Sequence, residues 1–69
     1  MADTESPRII EGLMAVRGVN RPELARRCGV TRQAVHYWWR RGFTDEQVRL
    51  CLAGLDADDA TYARCGVTR

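Results

Sequence analysis

From Thr31 to Arg41 the chain reads TRQAVHYWWRR. Wound as a helix, this stretch turns Val35 and Trp38 to one side at i and i+3, with the small Ala34 beside them. Thr31, Arg32, Gln33, His36, Tyr37 and Arg40 are left on the other side. Their chemistry is hydrogen bonding and charge, not bond making. A guanidinium can satisfy two acceptors at once, as on the edge of guanine, and a primary amide matches the donor–acceptor pair of adenine. Arg32 and Gln33 are therefore candidates for base edges, and His36, one turn beyond Arg32, for a donor to a base or phosphate. Arg21, Thr31, Tyr37, Arg40 and Arg41 are candidates for a sugar–phosphate backbone, where contacts fix register without reading sequence. Arg26 and Arg27 are candidates for peripheral phosphate contacts.

Such side chains act only if the chain holds them still, and residues 20–42 have the signals to do so. Asn20 is a side-chain acceptor suited to cap a helix, and Glu23 three residues on completes a capping-box pattern. Pro22 is tolerated in that first turn, whose amides lack intrahelical partners. Leu24, Ala25 and Cys28 form its apolar stripe, and Gly29 stands where the helix ends in a left-handed conformation. Val30 plugs the turn and Thr31 caps the helix over 32–40. A short turn between two helices requires small or apolar inner positions and a glycine, and Ala25, Gly29, Val30, Val35 and Trp38 fall in place. Trp38 belongs inside. Trp39 lies at the edge of the stripe and is expected to pack as well.

Charge is distributed to match. Residues 17–42 carry seven arginines against the single acid Glu23, a net +6, while the rest of the chain sets four arginines against eight acids, −4. A basic centre between acidic ends suits a chain that presents one face to a polyanion. Every basic side chain other than His36 is arginine, which favours planar, bidentate contacts with phosphate and guanine.

Sixty-nine residues, 45% of them hydrophobic and 29% charged, make a single domain with one modest core. No apolar run approaches the roughly 20 residues of a membrane span. The opening MADTESPR lacks the order of a secretion signal, so the expectation is a cytoplasmic protein. Cys28, Cys51 and Cys65 show no metal-ligand spacing and His36 completes none, so no metal or other cofactor is expected. Cys28 and Cys51 read as reduced core residues, and Cys65 as partly exposed. With neither a nucleophile–base pair nor a phosphate loop, the chain does not read as an enzyme.

The remaining elements are helical. Residues 1–5 read as a tail, and Ser6 with Pro7 as the cap and first residue of a helix ending at Gly18. Ile9, Ile10, Leu13, Met14 and Val16 give that helix a broad apolar face, with Glu11 and Arg17 directed to water, and it is expected to back the central pair. Thr44 with Gln47 caps a further helix to about Ala53, and Asp56 caps a last one that Gly66 ends. Convincing period-two alternation is absent, so the expected fold is all-α, a compact bundle of about five short helices. RCGVTR occurs at residues 27–32 and again at 64–69, and reads as shared helix-end chemistry.

The central segment, ELARRCGVTRQAVHYWWRRG, resembles the helix-turn-helix of the phage Cro and repressor superfamily, and the five-helix layout is similar to small Cro-type repressors of temperate phages and prophages. The resemblance implies a homodimer that binds double-stranded DNA at a pseudo-palindromic operator. One domain alone makes few specific contacts, whereas a two-fold pair reads two half-sites. Residues 44–66, with Cys51, Leu52, Leu55, Tyr62 and also Trp39, are the candidate dimer region, although the same residues could close the monomer core. Two alternatives stand beside this: an antitoxin-like or plasmid autoregulator, and a protein–protein module that keeps the helix-turn-helix shape.

Overall fold

The computed structural model describes residues 5–69, which form five helices: α1 (Glu5–Arg17), α2 (Arg21–Cys28), α3 (Arg32–Arg41), α4 (Asp45–Gly54) and α5 (Asp59–Arg64). The expectation for residues 1–4 lies outside the described residues. Among those described there is no strand, as expected. The radius of gyration, 10.7 Å, matches the roughly 11 Å of a compact chain this long.

Side chains three residues away decide most helix starts. The Asn20 carboxamide accepts from the Glu23 amide at 2.9 Å, and the Thr31 hydroxyl from the Ala34 amide at 3.1 Å. Thr44 and Gln47 make the full reciprocal box, at 3.2 and 2.9 Å. At α2 the box is half made, because the Glu23 carboxylate turns away to pair with Arg26 and Arg27. The start of α1 also differs from expectation. Ser6 is no cap but lies within the helix, almost fully buried, with Glu5 in the first turn. For α5 the cap is Asp58 rather than Asp56. Hydrogen bonds from the Thr61 hydroxyl and amide hold the Asp58 carboxyl below the usual carboxylate range.

Three helix ends share a glycine–valine recipe. In Gly18-Val19, Gly29-Val30 and Gly66-Val67, the glycine amide donates three residues back and the valine amide five residues back, the paired bonds of a Schellman ending. Val19 and Val67 are then buried, and Val30 packs on the core. This accounts for the repeated RCGVTR: both copies end a helix the same way, with Gly29 and Gly66 at φ +72° and +75°. Added side-chain carbon at Gly29 meets nothing within 4 Å, so Gly29→Ala carries only the backbone penalty of about 1–2 kcal/mol. We expect thermal unfolding followed by circular dichroism to register it as a drop of several degrees.

The core centres on α4, which packs against α1, α2 and α5, while α3 packs on α2. Val48, Cys51, Leu52 and Leu55 meet Ile10 and Met14 from α1, Leu24 and Ala25 from α2, Val35 and Trp38 from α3, and Tyr62 from α5. Helix α1 thus lies mainly against α4, not across the back of the α2–α3 pair. Its apolar face is narrower than expected: Ile9 and Leu13 are half-buried and Val16 is 78% exposed. Arg17 does not simply point to water. It donates to the carbonyls of Leu55 and Asp56 and so closes the end of α4. Cys65 is buried rather than partly exposed, and Val67, expected in a loose tail, is buried too.

Candidate nucleic-acid interface

Helix α3 is anchored from beneath. Val35 is fully buried, Trp38 nearly so, and Trp38 meets Phe43 edge-on with ring centroids 6.0 Å apart. The helix is fastened at its start by the Thr31 cap and joined to α2 through Gly29, Val30 and Thr31. With one side held in this way, Arg32, Gln33, His36, Tyr37 and Arg40 all face outward and are exposed. Among the described residues, no side chain pairs with Arg32 or Arg40.

The exposed side chains form two groups. Arg32, Gln33 and His36 line a shallow, open cleft of about 230 Å³, and Arg21 from the first turn of α2 completes its rim. Three expected base-reading residues and one expected backbone contact therefore share a surface. The second group is Tyr37 and Arg41, with the Arg41 guanidinium 4.8 Å from the Tyr37 ring centre. Stacking of this kind stiffens the arginine without using its hydrogen-bond donors. Thr31 is exposed, but its hydroxyl oxygen is already accepting from the Ala34 amide.

Compared with protein-family models, curated proteins and solved structures, the chain matches none. The reading of this surface therefore rests on its own chemistry.

Several expected phosphate contacts are committed within the chain. Arg21 is half-buried, sits 4.5 Å above the Trp39 ring and pairs with Glu11 at 3.6 Å. Arg26 and Arg27 both reach Glu23, and Arg27 also donates to the Gly54 carbonyl at 3.0 Å. Positive charge remains at these positions, but Arg21 and Arg27 hold α2 to its neighbours as well. Trp39 packs as expected, between Arg21 and Phe43, whose ring centroid is 5.0 Å away. The partners of Arg21 are 10 and 18 positions distant in the chain, so no local pattern announces them.

The candidate dimer residues are spoken for in the monomer. Cys51, Leu52 and Leu55 are fully buried and Tyr62 is nearly so. On α4 the large apolar side chain left exposed is Leu50, beside Glu46, Arg49 and Ala53. Among the described residues, no group of three or more His, Cys, Asp or Glu side chains is placed to hold a metal ion. No described helix is long and apolar enough to cross a membrane.

Proposed function

We propose that this chain is a sequence-specific double-stranded DNA-binding transcriptional regulator, a Cro-like repressor that works as a homodimer on a pseudo-palindromic operator. In this reading α2 and α3 are a helix-turn-helix, and α3 enters the major groove leading with its first turn. Arg32 and Gln33 read base edges, His36 donates to a base or phosphate, and Tyr37, Arg40 and Arg41 hold the backbone. Arg21 and Thr31 contribute at the margin, since each already has a role within the chain. The protein would act in the bacterial cytoplasm, with no cofactor and no catalysis. Antitoxin-like and plasmid autoregulators share this chemistry and would differ in the operator they occupy.

One observation carries the proposal. The polar side of a capped, core-anchored helix displays Arg32, Gln33 and His36 together, in the most basic part of the chain. An electrophoretic mobility shift with the promoter of the protein's own operon tests it. A retarded band that survives excess unrelated duplex is the expected result, and free probe at every protein concentration in low salt would refute it.

Arg41→Ala is a further test, because Arg41 lies outside the cleft and stacks on Tyr37. It should weaken binding to all sequences alike, and flatten the dependence of log affinity on log salt by about one unit or less. Affinities measured on cognate and scrambled duplexes across a salt series give both quantities.

A second reading has one observation in its favour. Ile9, Gly12, Leu13 and Val16 line an open groove of about 590 Å³ between α1 and α5, flanked by Arg8 and Arg64. An apolar strip of this kind suits a protein–protein module that keeps the helix-turn-helix shape. That reading predicts no salt-dependent affinity for duplex DNA.

A further inference from the structure

The three cysteines differ in their surroundings, and none is in a disulfide. Cys28, the last residue of α2, is half-buried, whereas Cys51 in the middle of α4 is fully buried. The two helices pack together at this level. A side-chain carbon added at Gly54, one turn beyond Cys51, would stand only 3.2 Å from the Arg27 Cβ, the neighbour of Cys28. The Arg27 guanidinium crosses the same seam to the Gly54 carbonyl. Across it the Cys51 side chain favours the Cys28 thiolate and lowers its pKa, while the Cys28 side chain and burial raise that of Cys51. The sulfur within reach of solvent is thus also the more easily ionised one.

We propose that Cys28 and Cys51 are a peroxide-sensitive thiol pair, in which Cys28 is the attacking and Cys51 the resolving cysteine of a reversible intrachain disulfide. The Cys28 thiolate attacks one oxygen of hydrogen peroxide; the O–O bond breaks, hydroxide leaves and is protonated to water, and Cys28 becomes a sulfenic acid. The Cys51 sulfur then attacks the Cys28 sulfur and the S–O bond breaks. Hydroxide departs with the Cys51 proton as a second water, and the S–S bond forms. Two electrons pass from the pair of thiols to one peroxide, and a small-molecule thiol reverses the change. The bond ties the end of α2, just before the Gly29–Thr31 turn, to α4. This inference does not depend on what α3 binds.

The test exposes the reduced full chain to dilute hydrogen peroxide, then denatures and alkylates it. Trypsin would mislead here, since it releases the same peptide, CGVTR, around Cys28 and around Cys65. An enzyme that cuts before aspartate separates all three cysteines, because Asp45, Asp56, Asp58 and Asp59 lie between them. We expect a monomer lighter by two hydrogens before alkylation, and after it the Cys28 and Cys51 fragments joined and Cys65 alkylated. In Cys28→Ser the same exposure should leave Cys51 and Cys65 alkylated. The mapping of the unaltered chain decides the matter even if that variant folds poorly. A link that involves Cys65 or joins two chains would overturn the proposal. So would Cys28 oxidised to the sulfinic acid beside an intact Cys51 thiol, or three unreacted thiols.

Discussion

Leu52→Ala is expected to destabilise the protein by about 2–5 kcal/mol, the usual cost of truncating a fully buried leucine. Leu52 is entirely enclosed, on the helix against which α1, α2 and α5 pack. Its carbonyl also accepts from the Leu55 and Ala57 amides at 3.2 and 3.0 Å, so a collapse around the lost side chain would disturb the end of α4 as well. A chain of this size has roughly 5 kcal/mol of total stability to lose. Chemical denaturation should therefore show a variant that is partly unfolded in buffer alone. Leu50→Ala on the same helix is the control. Leu50 is 39% exposed, and its truncation should shift the midpoint by a small fraction of that amount. Equal losses at the two positions would mean that α4 does not organise the core.

Arg32→Ala and Gln33→Ala should each cost about 1–3 kcal/mol on the preferred DNA site, and should relax base preference at one position of each half-site. Both side chains are exposed on the first turn of α3, clear of the packed side formed by Val35 and Trp38. Neither change removes core contacts, so thermal unfolding should be nearly unaffected while affinity falls. Binding-site selection from a randomised duplex pool, run for parent and variants, separates lost specificity from lost charge. A Gln33→Ala protein with unchanged affinity and unchanged preference would remove Gln33 from the reading face.

What the chain announces in advance is what is decided within a few residues. The caps at Asn20, Thr31 and Thr44 each act across three positions, and the structure has all of them. Gly18, Gly29 and Gly66 likewise end their helices as read, although Val67, read as tail, is buried. Helix number and type follow from such local choices. What the pattern hides is where long side chains go after the helices pack. Arg17 reaches carbonyls 38 and 39 positions away, and Arg27 one 27 away, although both read as ordinary surface arginines. Glu23 illustrates local competition, since two arginines one turn ahead draw its carboxylate from the amide it was expected to cap.

Apolar residues in the last third were ambiguous for a related reason. Period alone shows that Cys51, Leu52, Leu55 and Tyr62 share an inward side, but not whether that side closes on its own chain or on a second copy. The structure closes it on α1 and α2. The exposed side of α3 was easier to read, because only the positions of Val35 and Trp38 were needed to say which residues lie opposite. The meeting of Arg21 with Arg32, Gln33 and His36 was not legible, as it depends on how α2 and α3 are set against each other.

Whether the outward side of α3 reads DNA is decided by an amide-resolved NMR titration of the full chain with a duplex from its own promoter. Saturable shifts concentrated on Thr31 to Arg41 and the first turn of α2, fading as salt is raised, are the expected result. Shifts confined to the groove between α1 and α5, or an unchanged spectrum at low salt, would contradict it.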